Sequence, residues 1–294
     1  MTVCSMAAPV LDREEYVEQA YFFRVFRERL VDNLPAQEIL QTVHEEILST
    51  TRLPMAIEFL RGEVVLNGRL SAGLARLGHY FTPFQTFVMH QAEEDRSRFD
   101  QRTALEILQH EAEYRAAGAT PAGLFVYQFE SLSRNRLGYD RGMQAMAGDP
   151  IYSQDGWSEW ILEARLKLGS IDLTDLIYRH SAQYVVDRRR QGDDRPTANR
   201  ILFGEKEGRI AKANRGKDPL YMFAALQRQL EYPTVPRPAR ETAGDPPVSQ
   251  LLAKLSQLEK RLQLVEAEQR GAVDLSQFYA TPPASAAGEE SRPE

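Results

Sequence analysis

Proline at the head of an apolar run recurs down this chain and constrains its fold more than any other feature: Pro35, Pro54, Pro83, Pro121 and Pro219 all stand there, the last three directly behind Thr82, Thr120 and Asp218. Proline has no amide hydrogen and a fixed φ, so it fits the first turn of a helix, where amides have no intrahelical partner, and not the interior. A Thr or Asp just before it supplies a side-chain oxygen for those free amides. The same punctuation repeated at intervals predicts a chain made of many short helices.

Between these marks the apolar residues fall at helical spacing. Asp12 and Glu15 have the spacing of a capping box, and Leu11 and Tyr16 that of a hydrophobic staple, so a helix of about twenty residues follows. Its apolar residues Val17, Tyr21, Phe22, Val25, Phe26 and Leu30 spread over more than one stripe, which predicts two packing neighbours. Residues from Pro35 to about Ser49 place Ile39, Leu40, Val43, Ile47 and Leu48 on one face, and Pro54 opens a short apolar helix that Gly62 is expected to end. Thr82, Pro83 and Gln85 open a helix carrying Phe84, Phe87 and Val88 and running to about Arg98; Asp100 caps the next, which ends at Gly118. An aromatic helix with Leu124, Phe125, Phe129 and Leu132 starts at Thr120-Pro121 and stops at Gly138. After a loop at Gly148-Asp149-Pro150, Trp157 to Leu168 and Leu173 to Arg190 read as two helices, the second capped by Asp172, and Asp218-Pro219 opens one through Leu230. Glu63 to Gly68 is the single strand-like segment, with no partner nearby, so the fold class is all-α. Repeats with a shared core signature are not seen, and a compact multi-helical domain is expected rather than a solenoid.

Composition shifts divide the chain into an N-terminal arm at 1–10, a main helical domain at 11–190, a polar linker at 191–199, a small helical lobe at 200–232 packing on the main domain, a proline-rich linker at 233–247, a coiled-coil helix at 248–270 and a tail at 271–294 expected to be disordered. Hydrophobic residues make up 43% and charged residues 27%, an ordinary globular balance, and the net charge of −6 gives no general attraction to nucleic acid or anionic membrane. The single cysteine, Cys4, suits a reducing compartment, and the start of the chain has neither a basic region nor a long apolar run, so a cytoplasmic protein is expected. A run of about 18 apolar residues, the length of a membrane span, does not occur.

Val248, Leu255 and Leu262 alternate with Leu251, Leu258 and Val265 at steps of three and four, the seam of a coiled coil. With Val248 at position a, Lys254 faces Glu259 and Arg261 faces Glu266 in a parallel pair, whereas a centred antiparallel pair sets like charges together. The seam predicts a homo-oligomer, dimer or trimer, with parallel helices. Leu252 and Leu264, apolar outside the seam, are what a helix packing on another surface would carry.

Chemistry-bearing spacings are scarce. His90 with Glu94, and Glu106 with His110, share helix faces at i,i+4, but di-iron bundles use Glu-x-x-His at i,i+3. His44-Glu45-Glu46 lacks the second histidine of a zinc-protease motif, and a Gly-x-Ser-x-Gly elbow does not occur. A catalytic residue, metal or cofactor is therefore not assigned. The aromatics Tyr80, Phe81, Phe84, Phe87, Phe125, Tyr127 and Phe129 read as core, with a ligand pocket among them as the enzyme alternative. From Arg179 to Lys217 eleven basic residues stand against five acidic ones, a local balance of +6 against −12 for the remainder. Arg188, Arg189, Arg190, Lys206, Arg209, Lys212, Arg215 and Lys217 are candidate anion-binding residues there, and nucleic acid is the alternative partner they suggest. The leading expectation is a non-enzymatic interaction or scaffold protein that self-associates through its C-terminal helix and presents its domain to a protein partner.

Overall fold

The computed structural model describes residues 10–237, apart from 33, 48–49, 95–98, 194 and 196–198, together with Leu255. Among the described residues 10–237 thirteen α-helices follow one another: α1 (Arg13–Val31), α2 (Ala36–Glu46), α3 (Leu53–Asn67), α4 (Leu70–Arg76), α5 (Pro83–Ala92), α6 (Gln101–Ala116), α7 (Pro121–Arg134), α8 (Tyr139–Ala147), α9 (Trp157–Lys167), α10 (Leu173–Arg179), α11 (Ala182–Arg190), α12 (Glu205–Ala213) and α13 (Pro219–Leu230), with one 3-10 turn at Pro150–Tyr152. Two isolated bridges, Leu168 with Ile171 and Ser181 with Phe203, are the only β contacts among the described residues. The chain partitions into a unit of Met1–Pro238 and one of Ala239–Glu294, and the first is an all-α domain.

The central element is α7, in which every residue from Gly123 to Leu132 is buried. Phe125 stacks at 5.9 Å from Phe129 and meets Trp160 at 4.8 Å and Trp157 at 6.1 Å. Phe203 enters the same cluster from the stretch before α12, 5.2 Å from Trp157 and 5.4 Å from Trp160. The aromatics that could have lined a pocket, Tyr80, Phe81, Phe84, Phe125, Tyr127 and Phe129, are all core, with Phe87 partly buried against it.

Several helix starts follow the sequence closely. Thr82 and Gln85 make the reciprocal box, the Gln85 amide donating to Thr82 Oγ1 at 3.3 Å and the Thr82 amide to Gln85 Oε1 at 3.0 Å. Asp100, Thr120 and Asp218 also accept first-turn amides through their side chains. Asp12 and Asp172 stand at N-caps without a side-chain bond. Glu15 does not reach back to Asp12; its carboxylate accepts the Arg52 amide at 3.0 Å and the Tyr80 hydroxyl at 2.7 Å, so a predicted cap is spent joining α1 to α3 and to the turn before α5. Leu11 and Tyr16 are both buried as a staple requires, and the Leu11 amide donates to the Tyr16 hydroxyl at 3.3 Å.

Other expectations are corrected. α3 continues through Gly62 to Asn67, and the strand-like Glu63 to Asn67 is its last turn; Gly68, at φ +67°, ends it in the left-handed conformation that glycine adopts without strain. The expected helix from Leu173 to Arg190 is two, α10 and α11, broken at His180 and Ser181. The break has a tertiary cause: the Leu202 amide donates to the His180 carbonyl at 2.8 Å and the Ala182 amide to the Phe203 carbonyl at 2.9 Å, so an incoming segment takes the bonds that the helix would use. α4 and α8 occupy stretches without a predicted helix. α4 lies close on α3, since a Cβ on Gly73 would sit 2.6 Å from Leu60 Cδ2.

The first residues of the proline-rich stretch pack on this domain. Tyr232, Val235 and Pro236 are buried; the Tyr232 hydroxyl donates to Glu130 Oε2 at 2.6 Å, and Asn135 Nδ2 donates to the Pro236 carbonyl at 3.2 Å. Residues 232–236 thus form a strap over α6 and α7.

Candidate functional site

Of the eight candidate anion-binding residues, the structure ties four into ion pairs within the fold. Arg188 pairs with Asp193, its Nε donating to Oδ2 at 3.0 Å, and Arg209 pairs with Glu205 at 2.9 Å while its Nε donates to Gln183 at 2.9 Å. Lys212 pairs with Asp187 at 2.7 Å, and Arg215 pairs with Asp175 at 2.6 Å and lies 4.2 Å from the centroid of the Tyr178 ring. These last two, with Tyr178 and Gln183 donating to Asp187 at 2.8 Å each, form one network joining α10, α11 and α12. The Lys212 ammonium, then the Tyr178 hydroxyl, hold the Asp187 carboxyl down at about 2, and burial followed by the bond to Asp187 pushes the Tyr178 phenol up to about 12. Arg189, Arg190, Lys206 and Lys217 are exposed and make no ion pair among the described residues. Arg189 and Arg190 sit in the last turn of α11, where cations complement the carbonyl end of the helix dipole.

The histidine and glutamate set on α5 and α6 is drawn apart. His90 pairs with Glu94 at 3.4 Å, whereas Glu93 accepts the Leu70 amide at 2.6 Å and the Ser71 amide at 3.0 Å, capping α4. Glu106 pairs with Arg27 at 3.1 Å, Glu113 accepts from Gln109 at 2.8 Å, and His110 Nδ1 lies 3.1 Å from the Thr234 carbonyl. Among the described residues there is no group of three or more His, Cys, Asp and Glu that could hold a metal ion. Of the seam residues, Leu255 is described and is helical and half exposed; Val248, Leu251, Leu258, Leu262 and Val265 lie outside the described residues.

Three features have no clear counterpart in the sequence pattern. The first is a buried ion triad. Arg115 binds Asp149 through both terminal nitrogens, and its Nη2 also donates to Glu111 Oε1 at 2.9 Å. Gln128 of α7 donates to the same Glu111 oxygen at 2.7 Å and accepts from the Tyr152 hydroxyl at 2.9 Å. One cation thus faces two carboxylates away from water, and Glu111 Oε2 and Arg115 Nε have no partner. Burial is the largest influence raising the Glu111 carboxyl, with repulsion from Asp149 adding to it. Burial alone would lower Arg115, but Asp149 and Glu111 more than offset it and keep the guanidinium charged.

The second is the outer face of α3. At about 100° per residue, Leu53, Ile57, Leu60 and Val64 share one side of the helix, and Met55, Phe59, Gly62 and Leu66 share the side directly opposite. The first set is buried, while Met55 is 69%, Phe59 39% and Leu66 77% exposed. The outer row is spaced four, three and four, as in a helix-pairing seam. Open space lies above Gly62 in the middle of it, with no atom within 4 Å of where a methyl group on that glycine would sit.

The third is a trough along the antiparallel pair α1 and α6. Arg13 Nε donates to the Ala116 carbonyl at 3.2 Å, where the start of α1 meets the end of α6, and on either side of this side chain lies a hollow. One, of about 560 Å³, is lined by Val10, Leu11, Tyr16, Ala119 and Ile151 among others; the second, of about 380 Å³, by Val17, Ala20, Tyr21 and Arg24; Ala116 and Ala117 border both. The signals for these features are present only in part: the period of α3 shows two apolar sides, but the sequence does not say which of them a neighbour covers.

Comparison with family models, with curated proteins and with solved structures found no match to this chain. No helix among the described residues is long and apolar enough to cross a membrane.

Proposed function

We propose that this chain is a non-catalytic helical interaction protein of a reducing compartment such as the cytoplasm, which self-associates through residues 248–265 and offers the outer face of α3 to a helix of a protein partner. The observation that carries the partner half is the second apolar face of α3. A helix with one neighbour carries polar residues on its solvent side, and one apolar on both sides is made to be covered on both. Covering Met55, Phe59 and Leu66 would gain about 25 cal/mol for each Å² of apolar surface removed from water. The bare Gly62 between them lets a partner backbone approach closely, as small residues do at helix crossings. The self-association half rests on the seam spacing and its charge pairs.

Two experiments test the reading. Cross-linking and affinity purification with the intact chain is expected to recover a protein that a Phe59→Glu, Leu66→Glu variant of unchanged helicity loses; equal recovery by both chains counts against the α3 face. Sedimentation of the intact chain is expected to give a dimer or trimer mass that a chain ending at Glu241 does not, and identical monomeric masses would remove the self-association.

A further inference from the structure

The outer row of α3 is its own mirror image. Met55, Phe59, Gly62 and Leu66 are spaced four, three and four, so the row has the same steps read from either end. Two copies of the helix laid antiparallel across this row therefore set Phe59 of each against Gly62 of the other, and Met55 of each against Leu66 of the other. A large ring meets the one position in the row without a side chain, and no atom lies within 4 Å of where a methyl group on Gly62 would sit. In a parallel pair each residue meets its own kind, Phe59 on Phe59 and Gly62 on Gly62, and the ring has no hollow to enter.

Charge does not oppose a copy meeting itself. The three charged residues of α3 are Glu58, Arg61 and Glu63. Glu58 and Arg61 are exposed and opposite in sign, and Glu63 is buried and paired with Arg76. The face thus carries no net charge that would repel an identical face.

Area decides how strong the contact is. The uncovered parts of Met55, Phe59, Val65 and Leu66 come to about 500 Å² per copy, against roughly 800 Å² per partner in a stable interface. Such a contact is weak between free copies and forms when a second contact holds them at an effective concentration of about a millimolar. A parallel two-stranded coiled coil and an antiparallel helix pair are each symmetric about a two-fold axis, so one axis can serve both, whereas a three-fold trimer cannot pair its helices two by two.

We propose that α3 packs antiparallel on α3 of a second copy, each Phe59 seated over the other's Gly62, within a dimer that the C-terminal seam holds together. The pairing presupposes that α3 is a partner face and that the seam self-associates; it adds which helix the partner offers, its direction and the number of copies.

Disulfide trapping tests direction and register. Met55→Cys and Leu66→Cys are made singly in full-length chains carrying Cys4→Ser; both positions are exposed, and circular dichroism checks the fold. In the antiparallel pair, position 55 of one copy faces 66 of the other within the roughly 7 Å that a disulfide spans. Two copies of position 55, or of 66, stand about 16 Å apart along the axis at 1.5 Å per residue. Under mild oxidation the two chains expressed together are expected to give a covalent dimer at about tenfold the yield of either alone. Gly62→Leu added to both chains is expected to return that yield to the single-chain level, because the ring loses its seat. Single chains that cross-link better than the pair reveal a parallel contact and overturn the proposal. Equal yields in all three samples, a yield that Gly62→Leu leaves unchanged, or a trimer mass in sedimentation overturn it too. A dimer mass without the mixed cross-link overturns the self-pairing alone and leaves α3 to a different protein, which the Phe59→Glu, Leu66→Glu variant would still lose. A monomeric mass without the cross-link overturns the seam along with the pairing.

Discussion

Helices α3 and α7 are both apolar around most of their circumference, but the domain treats them differently. α7 has α6, α8 and α13 against it, the aromatic cluster of Trp157, Trp160 and Phe203 on one side and the strap of residues 232–236 on another. Its polar side chains are accommodated as well: Gln128 joins the Glu111 triad and Glu130 takes both Arg134 and Tyr232. α3 has α1, α2 and α4 against it, yet the row Met55, Phe59 and Leu66 stays exposed. The same kind of residue pattern thus has two outcomes, and the difference lies in whether the rest of the chain supplies a cover. Burial of α7 organises the domain, while the outer side of α3 is left exposed.

The contrast can be broken by substitution. Phe125→Ala on α7 removes the ring around which the cluster is built and is expected to cost about 3–5 kcal/mol in chemical denaturation, in line with buried aromatic truncations. Arg115→Met leaves Glu111 and Asp149 buried without their cation, and a loss of about 3–5 kcal/mol is expected by the same measurement; a loss under 1 kcal/mol would show the triad to be solvated. On α3, Leu60→Ala from the inner face should cost about 2–5 kcal/mol. Glu111→Gln sharpens the picture of the α6–α7 contact through pH. The folded carboxyl titrates above its unfolded value, so it binds a proton that the unfolded chain has released. Stability from this group is complete below the unfolded value of about 4.5 and falls as pH rises toward the folded one. The glutamine chain should lack that downward slope in denaturation curves taken across the range. Leu66→Ala, on the outer face of α3, is the smallest effect, within about 0.5 kcal/mol. If Leu66→Ala costs as much as Leu60→Ala, the two faces of α3 are not different.

The helix starts are legible because they are local: Thr82 with Gln85, Asp100, Thr120 and Asp218 act through oxygens two or three residues from the amides that they satisfy. The ends are less so. Gly62 costs a helix only modestly, whereas Gly68, six residues later, takes the positive φ that stops it, and a string of letters does not distinguish them. The break at His180 is invisible because Leu202 and Phe203, from twenty residues on, make it. Arg115 looks like one more surface cation at i,i+4 from Glu111; only the arrival of Asp149, 34 residues away, shows that it is buried. Half of the basic segment is likewise legible as charge and not as pairing, since Asp175 and Asp187 reach Arg215 and Lys212 across helices.

The strap has a mechanical consequence. Tension on the chain beyond Pro238 enters the domain through Pro236, Val235 and Tyr232, and the Tyr232 hydroxyl passes it to Glu130 in the middle of α7. The load path therefore reaches the most buried helix at Asn135 and Glu130, and through the bond of the Tyr232 hydroxyl to the Phe223 carbonyl it also reaches α13. A pull at that end is resisted by the core together with α13.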